Sequence, residues 1–199
     1  MPSALSPLSG KLFAYRFINS FRRGRERSRP LQSIVEEVKA LSEQGINEIT
    51  LLGQNVNSYC DESSASVYFN DSSLVSPSVP GFSSVFRAQR KGARFADLMD
   101  QISLASPEVR IRFTSPHPKD FPLPLLQLIK ERANLCKQIH LPAQSGSTAV
   151  LERMRRGYSR ETYLQLVDTI RSVIPEAALS SDFISGFVSE TVDDHQQTV

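Results

Sequence analysis

A chain of 199 residues, 40% hydrophobic and 22% charged, has the size and composition of one globular domain, burying roughly 70% of the surface its unfolded form exposes. No run approaches the ~18 consecutive apolar residues of a membrane-spanning helix, which argues against an integral membrane protein. The formal net charge of +2 is too small to name a partner, and two cysteines, Cys60 and Cys136, are too few for a disulfide framework or a cysteine-based metal motif.

In chain order, segment 12–18 is a candidate extra strand of poor periodicity. Pro30 opens a helix, because proline is tolerated in the first turn, and Ile34, Val35, Val38 and Leu41 share one face before Gly45 ends it. A strand over 48–52 follows at once. Residues 61–93 are Ser-rich, contain Pro77, Pro80 and Gly81, and show no sustained period; they are expected to be a disordered insertion. Phe95, Leu98, Met99 and Ile102 then recur at helical spacing, followed by a strand from Arg110 to Phe113. Leu125, Leu126 and Ile129 mark the next helix, Lys137 to Leu141 the next strand, and Val150, Leu151 and Met154 a short helix capped by Ser147. A longer helix runs from about Glu161 to Val173 with Tyr163, Leu164, Val167 and Ile170 as its core face, ended by Pro175. A strand over 177–184 and a helix after Thr191 complete the series.

The joints carry the argument. Four times an aliphatic or β-branched run stops in a polar loop: Glu48 to Asn57, Val109 to Pro118, Gln138 to Ser147 and Ala178 to Gly186. Strand, polar loop and helix repeat, which defines an α/β protein built on a parallel sheet or barrel with its ligand site at the strands' carboxyl ends. The pattern stops before such a sheet closes.

Basic residues cluster in three places: Lys11 to Arg29; Arg87, Arg90, Lys91 and Arg94; and Arg153, Arg155, Arg156 and Arg160. Such patches suit a phosphate backbone or are solvated helix faces. The first 25 residues contain no acid, the composition of an organelle transit peptide or of an alternative start.

Six segments in order, Gly24 to Pro30, Thr50 to Asn57, Arg110 to Pro118, His140 to Ser147, Met154 to Tyr158 and Ser180 to Gly186, together resemble the MiaB-type methylthiotransferases of the radical S-adenosylmethionine superfamily. Phe95 to Pro142 looks most like the vertebrate mitochondrial branch. The resemblance covers residues 24–199 and leaves 1–23 as a segment outside it. It implies an incomplete radical-SAM (βα)6-type partial barrel, S-adenosylmethionine and a 4Fe-4S cluster as cofactors, tRNA as substrate, and a mitochondrial location, or a cytoplasmic one for this form. It also implies a cyclin-dependent kinase activator as a protein partner.

The family's cluster loop, with three cysteines, belongs just upstream of Gly24, where Tyr15 to Arg23 holds no thiol. Thiolates bind such a cluster, so cluster binding is not expected here, and neither Cys60 nor Cys136 matches a cluster position. Domains on either side of the core are absent as well, so the expected function is that of a catalytically inactive interior piece of a tRNA (isopentenyl-adenosine) methylthiotransferase. The alternative is a regulatory module that binds the kinase activator.

The resemblance places cofactor contacts at Gln54, Asn55, Ser115, Gln144, Ser145, Arg155 and Asp182, with no catalytic and no metal-ligating residue. Gln54 and Asn55 both donate and accept hydrogen bonds, as an ammonium–carboxylate end requires, or simply form a turn with Gly53. Gln144, Ser145 and Ser147 offer amides and hydroxyls at a helix start, where a carboxylate or phosphate is favoured, with Ser147 an N-cap otherwise. Ser115 and His117 lie in a loop stiffened by Pro116 and Pro118. Asp182, an acid in an apolar strand, needs a ligand hydroxyl or a basic partner. Arg155 and Arg156 point to a cofactor carboxylate or an RNA phosphate, or to a solvated helix end. The family's Gly-Phe-Pro-Gly-Glu-Thr reads Gly186-Phe-Val-Ser-Glu-Thr191 here, so Ser189 replaces a glycine and an altered turn is expected.

Overall fold

The computed structural model describes residues 12–17, 28–53, 55–65, 79–82 and 92–199, with the backbone alone for 12–17. Gln54, the motif residues 24–27, the basic residues Lys11, Arg22 and Arg23, and Arg87, Arg90 and Lys91 lie outside the described residues.

The elements are β1 (Leu12–Phe17), α1 (Leu31–Glu43), β2 (Glu48–Gly53), β3 (Cys60–Asp61), β4 (Ala93–Arg94), α2 (Phe95–Ala105), β5 (Arg110–Phe113), α3 (Leu123–Glu131), β6 (Gln138–His140), α4 (Thr148–Arg153), α5 (Arg160–Val173), β7 (Ala178–Ser180) and α6 (Val192–Gln196). Strands β1, β2 and β5 pair in parallel in that order, and β6 pairs in parallel with β7. A parallel bridge between Ile111 and Leu135 joins the two groups: Ile111 N–H donates to Asn134 O at 2.8 Å and Cys136 N–H to Ile111 O at 2.9 Å. The molecule is therefore a mixed α/β protein with its parallel strands in chain order, and the described strands do not close into a barrel.

Helices cover one face of this sheet. Each parallel crossover returns a helix to the same side, and α1 packs on α2, α2 on α3 and α3 on α5. The alternation of β2 follows: Ile49 and Leu51 are fully buried under the helices, with Ile111 beside them on β5 and Leu98, Met99, Ile102, Leu125 and Ile129 above. The opposite face is polar. There Arg112 Nε donates to Glu48 Oε1 at 2.7 Å and its guanidinium also meets Gln138 Oε1, which spans three strands with one side chain. No described helix is long and apolar enough to cross a membrane.

The core face of α5 differs from the sequence reading. Thr162, Leu166 and Ile170 are its buried line, whereas Leu164 is exposed and Tyr163 and Val167 sit on the flank. Tyr163 is drawn to the flank because its hydroxyl reaches past the sheet to donate to Leu141 O at 2.7 Å.

Of the insertion expected over 61–93, residues 66–78 and 83–91 lie outside the described residues, and those described at 61–65, 79–82 and 92–93 take defined positions. Cys60–Asp61 pairs antiparallel with Ala93–Arg94, and Val79 is buried in the core. Asp61 has a further task. Helix α1 begins after Pro30 with no side-chain cap of its own, and Asp61 Oδ2 accepts from Leu31 N–H at 2.8 Å, acting as a cap from thirty residues away. Burial raises its pKa, but hydrogen bonds from Leu31, Ser63 and Ser64 outweigh this and hold the carboxyl below its ordinary value of 3.8. A depressed folded-state pKa means stabilisation that is present above the unfolded value and lost as pH falls through the folded one. Asp61→Ala is expected to cost about 1–2 kcal/mol in urea unfolding at neutral pH. Its difference from the unsubstituted chain should narrow in acid.

Candidate functional site

Beyond the carboxyl ends of β2 and β5 the connecting loops are tied to one another mainly by side-chain hydrogen bonds, and beyond β6 and β7 by an isolated parallel bridge. After β2, Asn55 is exposed and opens a short 3-10 turn, Val56–Ser58. Asn57 in that turn is 6% exposed and grips the loop after β5. Its Nδ2 donates to His117 O at 2.9 Å and Asp120 O at 2.8 Å, and its Oδ1 accepts from His117 N–H at 2.7 Å. Ser58 Oγ adds a bond to Asp120 Oδ2 at 2.5 Å. Reading the sequence missed Asn57, which lies inside a motif already singled out; its signal is an amide placed after a strand where a neighbouring loop, rich in proline, lacks ladder partners.

The loop after β5 presents His117 between two buried prolines, Pro116 and Pro118. Its Nδ1 accepts from Lys119 N–H at 3.3 Å, so the proton of the neutral ring resides on Nε2. Burial, then the charges of Lys119 and Arg156, lower its pKa from 6.5 to about 4. The imidazole is edge-on to Tyr158, ring centroids 6.2 Å apart.

After β6 and β7 the pairing continues as a bridge: Gln144 N–H donates to Asp182 O at 2.9 Å and Ile184 N–H to Gln144 O at 2.8 Å. On the open face, His140 Nδ1 lies 3.0 Å from Ser180 Oγ and its Nε2 3.2 Å from Asp182 Oδ2, giving that acid a partner while leaving its side chain 73% exposed. Arg156 Nη2 donates to Gln144 Oε1 at 2.9 Å, and Arg156 Nε is buried without a hydrogen-bond partner among the described residues.

Ser145 and Ser147 are turned to structure. Ser147 caps α4 and donates to Asp194 Oδ1 at 2.5 Å; Ser145 Oγ accepts from Ser147 N–H at 3.1 Å and lies 3.3 Å from Thr198 Oγ1. Hydrogen bonds from Ser147, Thr191 and Arg153 hold the Asp194 carboxyl well below the usual carboxylate range. The third basic cluster is thereby divided: Arg153 serves Asp194, Arg156 serves Gln144, and Arg155 and Arg160 remain exposed.

Backbone strain collects in the same loops. Four non-glycine residues among those described have positive φ: Ser115 at 56°, Gln144 at 70°, Arg155 at 55° and Ser189 at 62°. Ordered backbone of this kind costs about 1–2 kcal/mol per residue and persists where surroundings over-determine it, commonly at ligand clamps. Three of the four are residues that the sequence motifs single out. The fourth overturns the altered turn expected at Ser189: the serine keeps the glycine-like conformation, with Glu190 Oε2 accepting from Gly186 and Phe187 N–H at 2.5 and 3.1 Å.

The donor set for an iron cluster is thin. Cys60 lies beyond the carboxyl end of β2 and Cys136 just ahead of β6, at the opposite end of the sheet. Among the described residues no group of three or more His, Cys, Asp or Glu gathers to hold a metal ion.

The sequence profile of the radical SAM superfamily matches residues 13–199, and the chain belongs to that superfamily. The match begins inside β1, upstream of the first motif at Gly24. Over 179 residues, 90% of this chain and 30% of the relative, it is 61% identical to the mitochondrial tRNA methylthiotransferase CDK5RAP1 of Mus musculus. It is 58% identical over 193 residues to the protein of that name from Homo sapiens, covering 90% of this chain and 32% of the relative. A tRNA-2-methylthio-N(6)-dimethylallyladenosine synthase of Chloroherpeton thalassium is 49% identical over 179 residues, 90% of this chain and 34% of its own length. The chain thus spans about a third of the length of these relatives.

Asn57→Ala leaves a buried N–H and two carbonyls of the neighbouring loop without their partner. It is expected to cost about 2–3 kcal/mol, read as a lowered urea midpoint. Ser189→Gly relieves left-handed strain against a smaller loss of chain entropy and should stabilise by about 0.5 kcal/mol, whereas β-branched Ser189→Val should destabilise by about 1 kcal/mol or more, both read from thermal unfolding.

Proposed function

We propose that this chain is a (βα)6-type partial barrel that binds S-adenosylmethionine at the carboxyl ends of its strands and lacks the thiolates to start radical chemistry. The observation that carries the binding half is Arg156. A half-buried arginine whose buried Nε has no partner among the described residues, oriented by Gln144 and set beside a neutral imidazole, is a donor awaiting an acceptor of the carboxylate kind.

Other groups fit the remainder of such a ligand. Gln54 and Asn55 would take the ammonium and carboxylate of the amino-acid end. Gln144 spends Oε1 on Arg156, which leaves its amide nitrogen to donate. The exposed Asp182 carboxylate, steadied by His140, suits a pair of ribose hydroxyls. Ser115 and Arg155 present backbone and side chain from strained, exposed positions, and Ser145 supports the loop from within. When bound, S-adenosylmethionine supplies a sulfonium whose carbon–sulfur bond is cleaved by one-electron reduction in this superfamily.

A cluster that delivers such an electron is held by cysteine thiolates, three of them in this family. This chain carries two cysteines in all, on opposite ends of its sheet, so its own residues do not fit the group. The activity of the longer relatives, methylthiolation of tRNA, comes to this chain only as a contribution to binding: exposed Arg155 and Arg160 offer phosphate contacts beside the site. A mitochondrial location follows from the same similarity.

Calorimetric titration of the purified chain with S-adenosylmethionine is expected to give a micromolar dissociation constant, weakened about tenfold by Arg156→Ala. Anaerobic incubation with iron, sulfide and dithionite should yield no 5′-deoxyadenosine. Formation of that product, or binding indifferent to Arg156, would contradict the reading.

A further inference from the structure

The turn Val79–Phe82 belongs to no helix or strand, yet three different contacts fix it beside the site. Val79 is 4% exposed within the core. Gly81, at φ +103°, approaches α5 so closely that a Cβ on it would lie 2.7 Å from Thr162 Oγ1. Phe82 lays its ring on Tyr158, centroids 5.5 Å apart and planes at 55°.

Tyr158 is where these contacts converge with those of the site. Its ring stacks on Tyr163 at 6.3 Å and receives the edge of His117 at 6.2 Å. Its hydroxyl is placed to donate to Pro142 O or Ala143 O, each 3.4 Å away, the two carbonyls that lead into the strained Gln144. Tyr158 is 5% exposed, and this burial pushes the phenol up to about 12. Phe82 supplies cover for one side of that ring. Arg156, whose charge acts on both Tyr158 and His117, is held in the same wall.

We propose that Phe82 is a positioning residue for the site: by covering Tyr158 it fixes the ring against which His117 is held and the hydroxyl that restrains the backbone ahead of Gln144. A segment far from the strand ends in sequence thereby sets the geometry of two ligand-facing loops at once. The cofactor-affinity consequence rests on the reading of the site given above; the consequence for His117 does not. The ring nitrogens of His117 face Lys119 from their own loop and Arg156 from the α4–α5 turn, so loosening of Tyr158 admits water to an imidazole kept neutral by burial and by two cations.

The test follows His117 by NMR titration in the whole chain, its resonances assigned with His117→Gln, alongside S-adenosylmethionine binding. Phe82→Ala is expected to raise the His117 pKa by about one unit and weaken binding roughly fivefold. Phe82→Leu, which keeps most of the apolar cover, should move the titration by on the order of a few tenths of a unit. An unmoved His117 in Phe82→Ala overturns the proposal, as does a loss of affinity with His117 unmoved, because the effect then bypasses Tyr158. If Phe82→Ala does not fold, Phe82→Leu decides: an upward displacement supports the proposal and none overturns it. Failure of the unsubstituted chain to bind S-adenosylmethionine overturns the functional reading alone, and the titration still judges Phe82.

Discussion

Parallel strands end without a partner for the loops that leave them, and in this molecule Asn57 supplies the missing constraint. Three hydrogen bonds from one buried amide fasten the turn after β2 to the loop after β5. Through His117 that brace extends to Tyr158, and through the Tyr158 hydroxyl to the backbone of Pro142 and Ala143. There the bridge between Gln144 and Phe183 takes over and fixes the loop after β7. The site is thus one connected body of loops, each held to the next by a hydrogen bond or a ring contact, which is why residues such as Ser115 and Gln144 are held at positive φ without glycine.

Much of the architecture was legible because its signals are periodic. Ile34, Val35, Val38 and Leu41 announce the buried face of α1, and Arg110 to Phe113 is the strand expected. Where periodicity competes with a specific bond, the reading slipped: Leu164 looks as apolar as Leu166, but the hydroxyl of Tyr163 places that side of α5 along the sheet's rim. Asp61 and Val79 were invisible for another reason. Their roles depend on Leu31 and on the core, partners distant in sequence that no local pattern in a Ser-rich stretch marks.

The candidate residues divide in a similar way. Sequence motifs identified the loops, but only geometry separates what faces solvent from what builds the wall. Ser145 and Ser147 are spent on α4, Thr198 and Asp194; Asp182 and Asn55 stay exposed; Arg156, rather than Arg155, is the half-buried cation with a buried Nε. Superfamily membership is shown; that this wall takes the superfamily's cofactor is the reading proposed above. An orphaned donor and strained loops are features of a binding surface, and the two cysteines lie at opposite ends of the sheet.

The central claim is that these loops act as one ligand surface, and backbone hydrogen–deuterium exchange with and without S-adenosylmethionine tests it most directly. Added protection is predicted together at 55–58, 114–117, 142–147 and 181–186, with the amino-end segments around Val109 and Leu135 unchanged. Protection limited to one of those loops, or found at the amino end of the sheet, would contradict the account.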